Sequence, residues 1–159
     1  MDYLIYSEVS LQASSPVMLC VSLTPPDAPT GGVAQSEYFS SSWEQVWSLL
    51  PVLNSNWFVL QHKLSGFALR FGAQDAQLTV EPYLPFDRSF LMTYSGSPGW
   101  VHIFNVGSPN LMVTIAGSNY TPPAPVNGSP DNAAQGQRWM LVPYVSPTGV
   151  GSAPKSGRR

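Results

Sequence analysis

Cysteine is almost missing from this chain: Cys20 stands alone among 159 residues, so no internal disulfide can form and no thiol-rich metal site can be built. Charge is scarce as well, at 10% of residues, and the polar surface must come largely from Ser, Thr, Asn, Gln and backbone groups. A net charge of −2 gives no reason to expect phosphate-backbone binding, which needs a concentrated basic surface. The one basic cluster, Lys155 with Arg158 and Arg159, sits in a Gly/Ser/Pro tail expected to be solvated. No run approaches the roughly 20 apolar residues of a membrane span. Met1-Asp2-Tyr3-Leu4 lacks the basic and apolar regions of a signal peptide. A soluble, cytoplasmic protein is therefore expected, released if at all by a non-classical route. Asn119-Tyr120-Thr121 and Asn127-Gly128-Ser129 match the glycosylation pattern, but without a signal they read as loop sequence.

The ingredients of catalysis are thin too. His62 and His102 have no His, Cys or Asp partner at metal-ligand or triad spacing, and each reads as a strand histidine at a barrel surface or rim. The nine carboxylates are scattered, with no pair that spacing alone marks as acid and base. Thr30-Gly31-Gly32-Val33 is a turn rather than a phosphate loop. Neither an enzyme nor a cofactor or metal is expected. Cys20, between Leu19 and Val21, reads as a buried and inert strand thiol.

What is abundant is punctuation and aromatic residues. Sixteen prolines and thirteen glycines leave little room for long helices and suit short strands joined by turns. Hydrophobic residues at 43% and aromatics at 12% are enough for one globular domain of this length. Gln45-Val46-Trp47 is echoed by Gln137-Arg138-Trp139, each leading into an apolar run that ends in proline. A degraded copy, Arg88-Ser89-Phe90, lies between them. Trp47 to Trp57 is ten residues, and Phe90 to Trp100 is ten again. Tyr3-Leu4-Ile5-Tyr6, Trp57-Phe58-Val59-Leu60 and Trp100-Val101-His102-Ile103-Phe104 form a first set of strands.

In the second set, Leu19/Val21, Leu69/Phe71 and Val113/Ile115 face one way, and Cys20, Arg70 and Thr114 the other. Ser65-Gly66 and Gly107-Ser108-Pro109-Asn110 supply hairpin links between the two sets. Third strands are expected near Val33-Gln35, Gln77-Val80 and Val126-Asn127, after loops of variable length. The Gln-x-Trp segments close each unit as a fourth strand. Ser42-Trp43-Glu44 is read as a turn with a short 3₁₀ piece despite some helical spacing. An all-β chain of three four-stranded units follows, with repeats at about 2–53, 54–96 and 97–145 in a single domain over 1–145. Residues 146–159 show no periodicity and are expected to be a disordered tail.

On Gln45/Trp47, Gln137/Trp139, the ten-residue spacings and the strand alternation, the chain resembles the ricin-type (ricin B-like) β-trefoil lectins. The resemblance runs from Tyr3 to about Tyr144 and is nearest to small, cysteine-poor fungal members. It implies a β-trefoil with pseudo-threefold symmetry, in which Trp47, Phe90 and Trp139 pack in a shared core. It also implies a non-catalytic carbohydrate-binding protein, a lectin with a role in defence, with glycans or glycoproteins as partners and a homodimer as a common assembly. Sugar-binding repeats of that family usually carry an Asp on the second strand. Cys20, Arg70 and Thr114 occupy those positions here, so binding must be sought in the loops.

Sugar recognition needs an aromatic face for the C–H patch of a pyranose and a fixed carboxylate or amide for its hydroxyls. The first unit offers Glu37, Tyr38 and Trp43, and the third offers Asn119, Tyr120, Asp131 and Asn132. The second offers Glu81, Tyr83 and Asp87 more weakly. Arg70 has two equal readings, a donor to an acidic sugar or a surface ion pair with Asp75 or Asp87. Two other readings compete. Leu23-Thr24-Pro25-Pro26-Asp27-Ala28-Pro29 and Thr121-Pro122-Pro123-Ala124-Pro125 are stiff enough for a protease-inhibitor loop. A protein-interaction scaffold without a sugar site is the third.

Overall fold

A computed structural model of the chain describes residues 1–22, 32–82, 90–94, 96–117 and 120–145. In chain order the strands are β1 (Asp2–Ser7), β2 (Val17–Ser22), β3 (Val33–Tyr38), β4 (Val46–Pro51), β5 (Phe58–His62) and β6 (Ala68–Arg70). They continue as β7 (Thr79–Glu81), β8 (Phe90–Tyr94), β9 (Val101–Asn105), β10 (Ser108–Ile115), β11 (Ala124–Pro130) and β12 (Trp139–Pro143). Short 3₁₀ turns occupy Glu8–Leu11, Trp43–Gln45 and Gln135–Gln137. Among the described residues no helix is long and apolar enough to cross a membrane.

Six strands close on themselves. β1 pairs with β4, β4 with β5, β5 with β8, β8 with β9, β9 with β12 and β12 with β1, all antiparallel. A ring of this kind leaves no free edge, which removes the hazard an open sheet presents. The other six strands make the hairpins β2–β3, β6–β7 and β10–β11. Those hairpins touch one another: β3 pairs with β11 at Ser36↔Ala124 and with β7 at Val33↔Thr79, and Gln77 bridges to Asn127.

One apolar core fills the space between the barrel and the hairpins. Ile5, Leu60 and Ile103 enter it from the first strands, and Leu19, Leu69 and Val113 from the second, all fully buried. Trp47, Phe90 and Trp139 enter from the closing strands, also with no exposure. Each such aromatic removes roughly 150–250 Å² from water, worth about 4–6 kcal/mol as an upper bound on transfer. The indole N–H groups are satisfied: Trp47 Nε1 donates to the Leu19 carbonyl at 3.0 Å and Trp139 Nε1 to that of Val113 at 2.8 Å. Phe90 has no such donor and packs on Phe58 and Phe71, with ring centroids 6.3 and 5.5 Å away.

Several local expectations change. Trp57 and Trp100 share a sequence spacing but not an environment, being 41% and 8% exposed. The 3₁₀ turn at Glu8–Leu11 interrupts the first hairpin, where the pattern shows only a link. Residues 108–110, read as turn, already belong to β10, whose register against β9 shifts between Ser108 and Met112. Such a bulge absorbs the extra residues without ending the strand. The 3₁₀ reading of Trp43–Gln45 holds, and β4 follows at Val46.

Cys20 and Thr114 do point away from the core, yet they are only 3% and 4% exposed, because the loops before β4 and β12 fold over them. Arg70, the third of the set, stays exposed. Burying a guanidinium would cost far more than covering a thiol or a hydroxyl.

Candidate functional site

The glutamines of the two Gln-x-Trp segments build the loops that precede them. Gln45 is buried; its Nε2 donates to the Tyr38 carbonyl at 2.7 Å and its Oε1 accepts the Ser40 amide at 3.0 Å. Gln137 does the same ninety-two residues later, with Nε2 on the Pro130 carbonyl at 2.7 Å and Oε1 on the Asn132 amide at 2.9 Å. Each side chain therefore staples the backbone five and seven residues upstream of itself. A primary amide can do this because it carries donor and acceptor on one planar group. The result is a rigid lip over the outer face of the neighbouring hairpin.

Under each lip lies a cleft. The first, of about 380 Å³, is lined by Cys20, Gln35, Glu37, Tyr38, Ser42 and Glu44 among others. Register explains the grouping: Cys20 lies opposite Gln35 and Met18 opposite Glu37, so Cys20, Gln35 and Glu37 share one hairpin face. Gln35 Nε2 donates to Glu37 Oε1 at 2.6 Å and orients that carboxylate. Burial, followed by the Glu37 and Glu44 carboxylates, pushes the Cys20 thiol up to about 12, so it stays protonated and unreactive.

The second cleft, of about 400 Å³, lies under the Gln137 lip and is lined by Thr114, Tyr120, Asn127, Asp131 and Asn132, with Gln74 and Asp75 opposite. Thr114 pairs with Asn127 across β10 and β11, as Cys20 does with Gln35. The Thr114 hydroxyl is already committed, donating to the Met112 carbonyl at 2.9 Å and accepting from Gln137 Nε2 at 3.2 Å. Gln74 and Asp75 arrive from the loop before β7. That loop is strapped to β11 by Asp75 N to Gly128 O at 2.8 Å and Asn127 Nδ2 to Asp75 O at 2.8 Å.

No protein-family model and no curated protein sequence matches the chain. Solved structures do. A designed threefold-symmetric protein, ThreeFoil, superposes with a TM-score of 0.76 at 18% identity, over 90% of this chain and 99% of its own. A ricin B-like lectin of Macrolepiota procera, determined in complex with lactose, gives 0.67 at 18% identity, over 89% of this chain and 94% of its own. An exo-β-1,3-galactanase of Clostridium thermocellum gives 0.69 at 18% identity, over 89% of this chain but 30% of its own.

The chain has the fold of the ricin B-like β-trefoil lectins.

The same fold thus stands alone in a lectin and as one part of a glycosidase, and by itself it does not decide chemistry. In this β-trefoil, Glu37 and Tyr38 come together in the first cleft, and Tyr120, Asp131 and Asn132 in the second. Trp43 does not join them. It is 46% exposed and leans edge-on against Tyr144, with centroids 5.6 Å apart, beside a small cluster of Leu4, Met18 and Val46. Asn119, Tyr83, Asp87, the segment Leu23 to Pro29 and the tail 146–159 lie outside the described residues.

The counterpart of these clefts on β6 and β7 is filled by an ion pair. Arg70 Nη1 meets both oxygens of Glu81 at 2.7 and 2.9 Å. The partner is thus Glu81 rather than Asp75, because Glu81 lies two residues from Thr79, the cross-strand neighbour of Arg70, on the same face; Asp87 lies outside the described residues. Glu81, opposite Ala68, stands where Glu37 stands opposite Met18, so one carboxylate position serves a cleft in the first hairpin and a guanidinium in the second.

His62 is corrected as well. It is fully buried rather than at a surface, packed 5.5 Å from the Trp47 ring, with Nδ1 on Ser65 Oγ at 2.9 Å and Nε2 without a hydrogen-bond partner among the described residues. Burial lowers its pKa to about 4, which leaves a neutral imidazole. His102 is half-buried, edge-on to Phe104. Among the described residues no cluster of three or more His, Cys, Asp and Glu could hold a metal.

Sequence reasoning missed Gln35, Glu44, Gln74 and Asp75. Gln35 and Glu44 could have been found by placing β2 and β3 in register. Gln74 and Asp75 carry no local signal, because they reach the second cleft from another unit.

Proposed function

We propose that this protein is a non-catalytic carbohydrate-binding protein whose sites are the two clefts beneath the Gln45 and Gln137 lips, with glycans or glycoproteins as partners. Three four-stranded units related by a pseudo-threefold axis, at about 2–53, 54–96 and 97–145, are the frame for this reading. The observation that carries it is the matched construction of the clefts: a glutamine-stapled lip, a tyrosine among the lining residues, and amide, hydroxyl and carboxylate groups converging on a space that one sugar ring can enter. Glu37 takes over from the absent second-strand Asp, because it stands one strand away on the same face and Gln35 holds it in place. In the second cleft Asp131 and Asp75 are the acceptors, and Asn132 and Asn127 present amides. The bonds are those of a fixed acceptor to vicinal hydroxyls, with the tyrosine face against the apolar side of the ring.

Glycan-array binding followed by titration with lactose, the sugar held in the similar Macrolepiota procera structure, tests the proposal. Binding weakened about tenfold or more by Glu37→Gln in the first cleft, and by Asp131→Asn in the second, is the expected result. A folded protein that binds no glycan on the array would refute it.

A further inference from the structure

Between the two clefts lies a third depression, of about 340 Å³, which the proposed sites leave unused. Its floor is the turn Gln12 to Ser14 with Val9, and its two ends are Tyr38 and Tyr120. Tyr38 is also a wall of the first cleft and Tyr120 a wall of the second. Each cleft therefore shares one lining residue with the middle depression, Tyr38 in the first case and Tyr120 in the second. Strand pairing sets this up. Ser36 lies opposite Ala124, so the chain just beyond β3 and the chain just before β11 emerge side by side.

Both tyrosines are held in place. The Tyr38 carbonyl is pinned by Gln45 at 2.7 Å. Tyr120 has φ +43°, a left-handed conformation that a bulky side chain rarely adopts. Its ring rests on Gly136, where a Cβ would lie 2.7 Å from Tyr120 Cε1. Backbone strain of this kind persists where the surrounding structure over-determines it, often at ligand-binding positions. The charge is one-sided as well: Glu37 and Glu44 stand at one end, Asp75 and Asp131 at the other, and among the described residues no Lys or Arg lines any of the three depressions.

We propose that the three depressions form one groove for a linear oligosaccharide of neutral or amino sugars, with Tyr38 and Tyr120 as stacking platforms between successive sugar positions. The inference rests on the carbohydrate-binding reading above and deepens it from single sugars to a chain. Each depression alone is at the low end of the roughly 300–1,000 Å³ typical of ligand sites, whereas the three together slightly exceed its upper end. The carboxylates at both ends favour ammonium or hydroxyl donors and repel uronate, sulfate or sialate groups.

Calorimetric titration with β-1,4-linked glucosamine oligomers from one to six units, their N-acetylated counterparts and an oligogalacturonate series tests it. The expected result is affinity rising at least about tenfold with length in one of the first two series, one long oligomer per chain, and no binding of the acidic series. Ser14→Trp fills only the middle depression. It should abolish the length dependence and leave single-sugar binding in both clefts intact. Tyr120→Ala, which removes the ring from both the middle depression and the second cleft, should abolish the length dependence and weaken single-sugar binding in the second cleft, and Tyr120→Phe should restore both. Length-independent binding at two equivalents per chain, or length dependence surviving Ser14→Trp, overturns the groove and leaves the two-cleft reading standing. Preference for the acidic series, or no binding of any oligomer, also overturns it. The glycan array then decides separately whether carbohydrate binding itself falls.

Discussion

Removing the Gln137 side chain tests whether the lip over the second cleft is built by one residue. Gln137→Ala deletes the bonds to the Pro130 carbonyl at 2.7 Å and the Asn132 amide at 2.9 Å, and the longer contact with Thr114 Oγ1. The two strong bonds are each worth about 0.5–1.5 kcal/mol net. The lost side-chain burial adds about 0.8 kcal/mol per methylene. Pro130 and Asn132 are exposed residues, so water can reach their backbone groups once the glutamine is gone. A loss of about 2–4 kcal/mol in urea titration is expected, with an unchanged m-value. Gln137→Glu sharpens the test. It keeps the acceptor for Asn132 but, when ionised, sets a charge against the Pro130 carbonyl. The folded carboxyl would then titrate above its unfolded value of about 4.3, so the penalty is full at neutral pH and shrinks as pH falls through the raised value. Compared with the unmodified chain at each pH, Gln137→Glu should therefore recover in acid while Gln137→Ala does not. A cost below 1 kcal/mol for Gln137→Ala, or no acid recovery for Gln137→Glu, would refute the staple.

Trp47→Ala and Trp139→Ala should each cost about 3–5 kcal/mol by denaturant titration, through the cavity left in the shared core; both rings are fully buried. The neutral, buried His62 makes stability depend on pH. Its folded pKa, about 4, lies below the ordinary value of 6.5, so stability is complete above 6.5 and declines as pH falls toward 4. About 2 kcal/mol should be lost between pH 7 and pH 5 in urea titrations, and His62→Gln should remove most of that slope. Gly128→Ala would drive a Cβ into the Phe71 ring, and overpacking of this sort should lower stability by about 1–3 kcal/mol, read from the thermal midpoint.

The period-two patterns and the two Gln-x-Trp segments were enough to place all twelve strands approximately and to predict that Trp47, Phe90 and Trp139 are core. Strand alternation and aromatic burial are short-range consequences of side-chain chemistry, which is why they can be read along the chain. Cover on the outer hairpin faces is a different matter. Nothing near Cys20 or Thr114 announces that a loop closing many residues later will bury them, and nothing near Arg70 announces Glu81 as its partner. His62 loses its solvent because Trp47 and the Ser65 turn close around it.

The role of Gln45 and Gln137 shows the division most plainly. The sequence by itself determined that these residues recur at matched positions ahead of core tryptophans, because a buried indole preceded by an amide that pairs with backbone is the same local chemistry in both segments. Only the tertiary structure decided that their amides shape a lip and that Tyr38 and Tyr120, eighty-two residues apart, end one shared depression. Sugar-sized spaces arise where separate strands and loops converge. Their walls are set by register between hairpins, which no local pattern encodes.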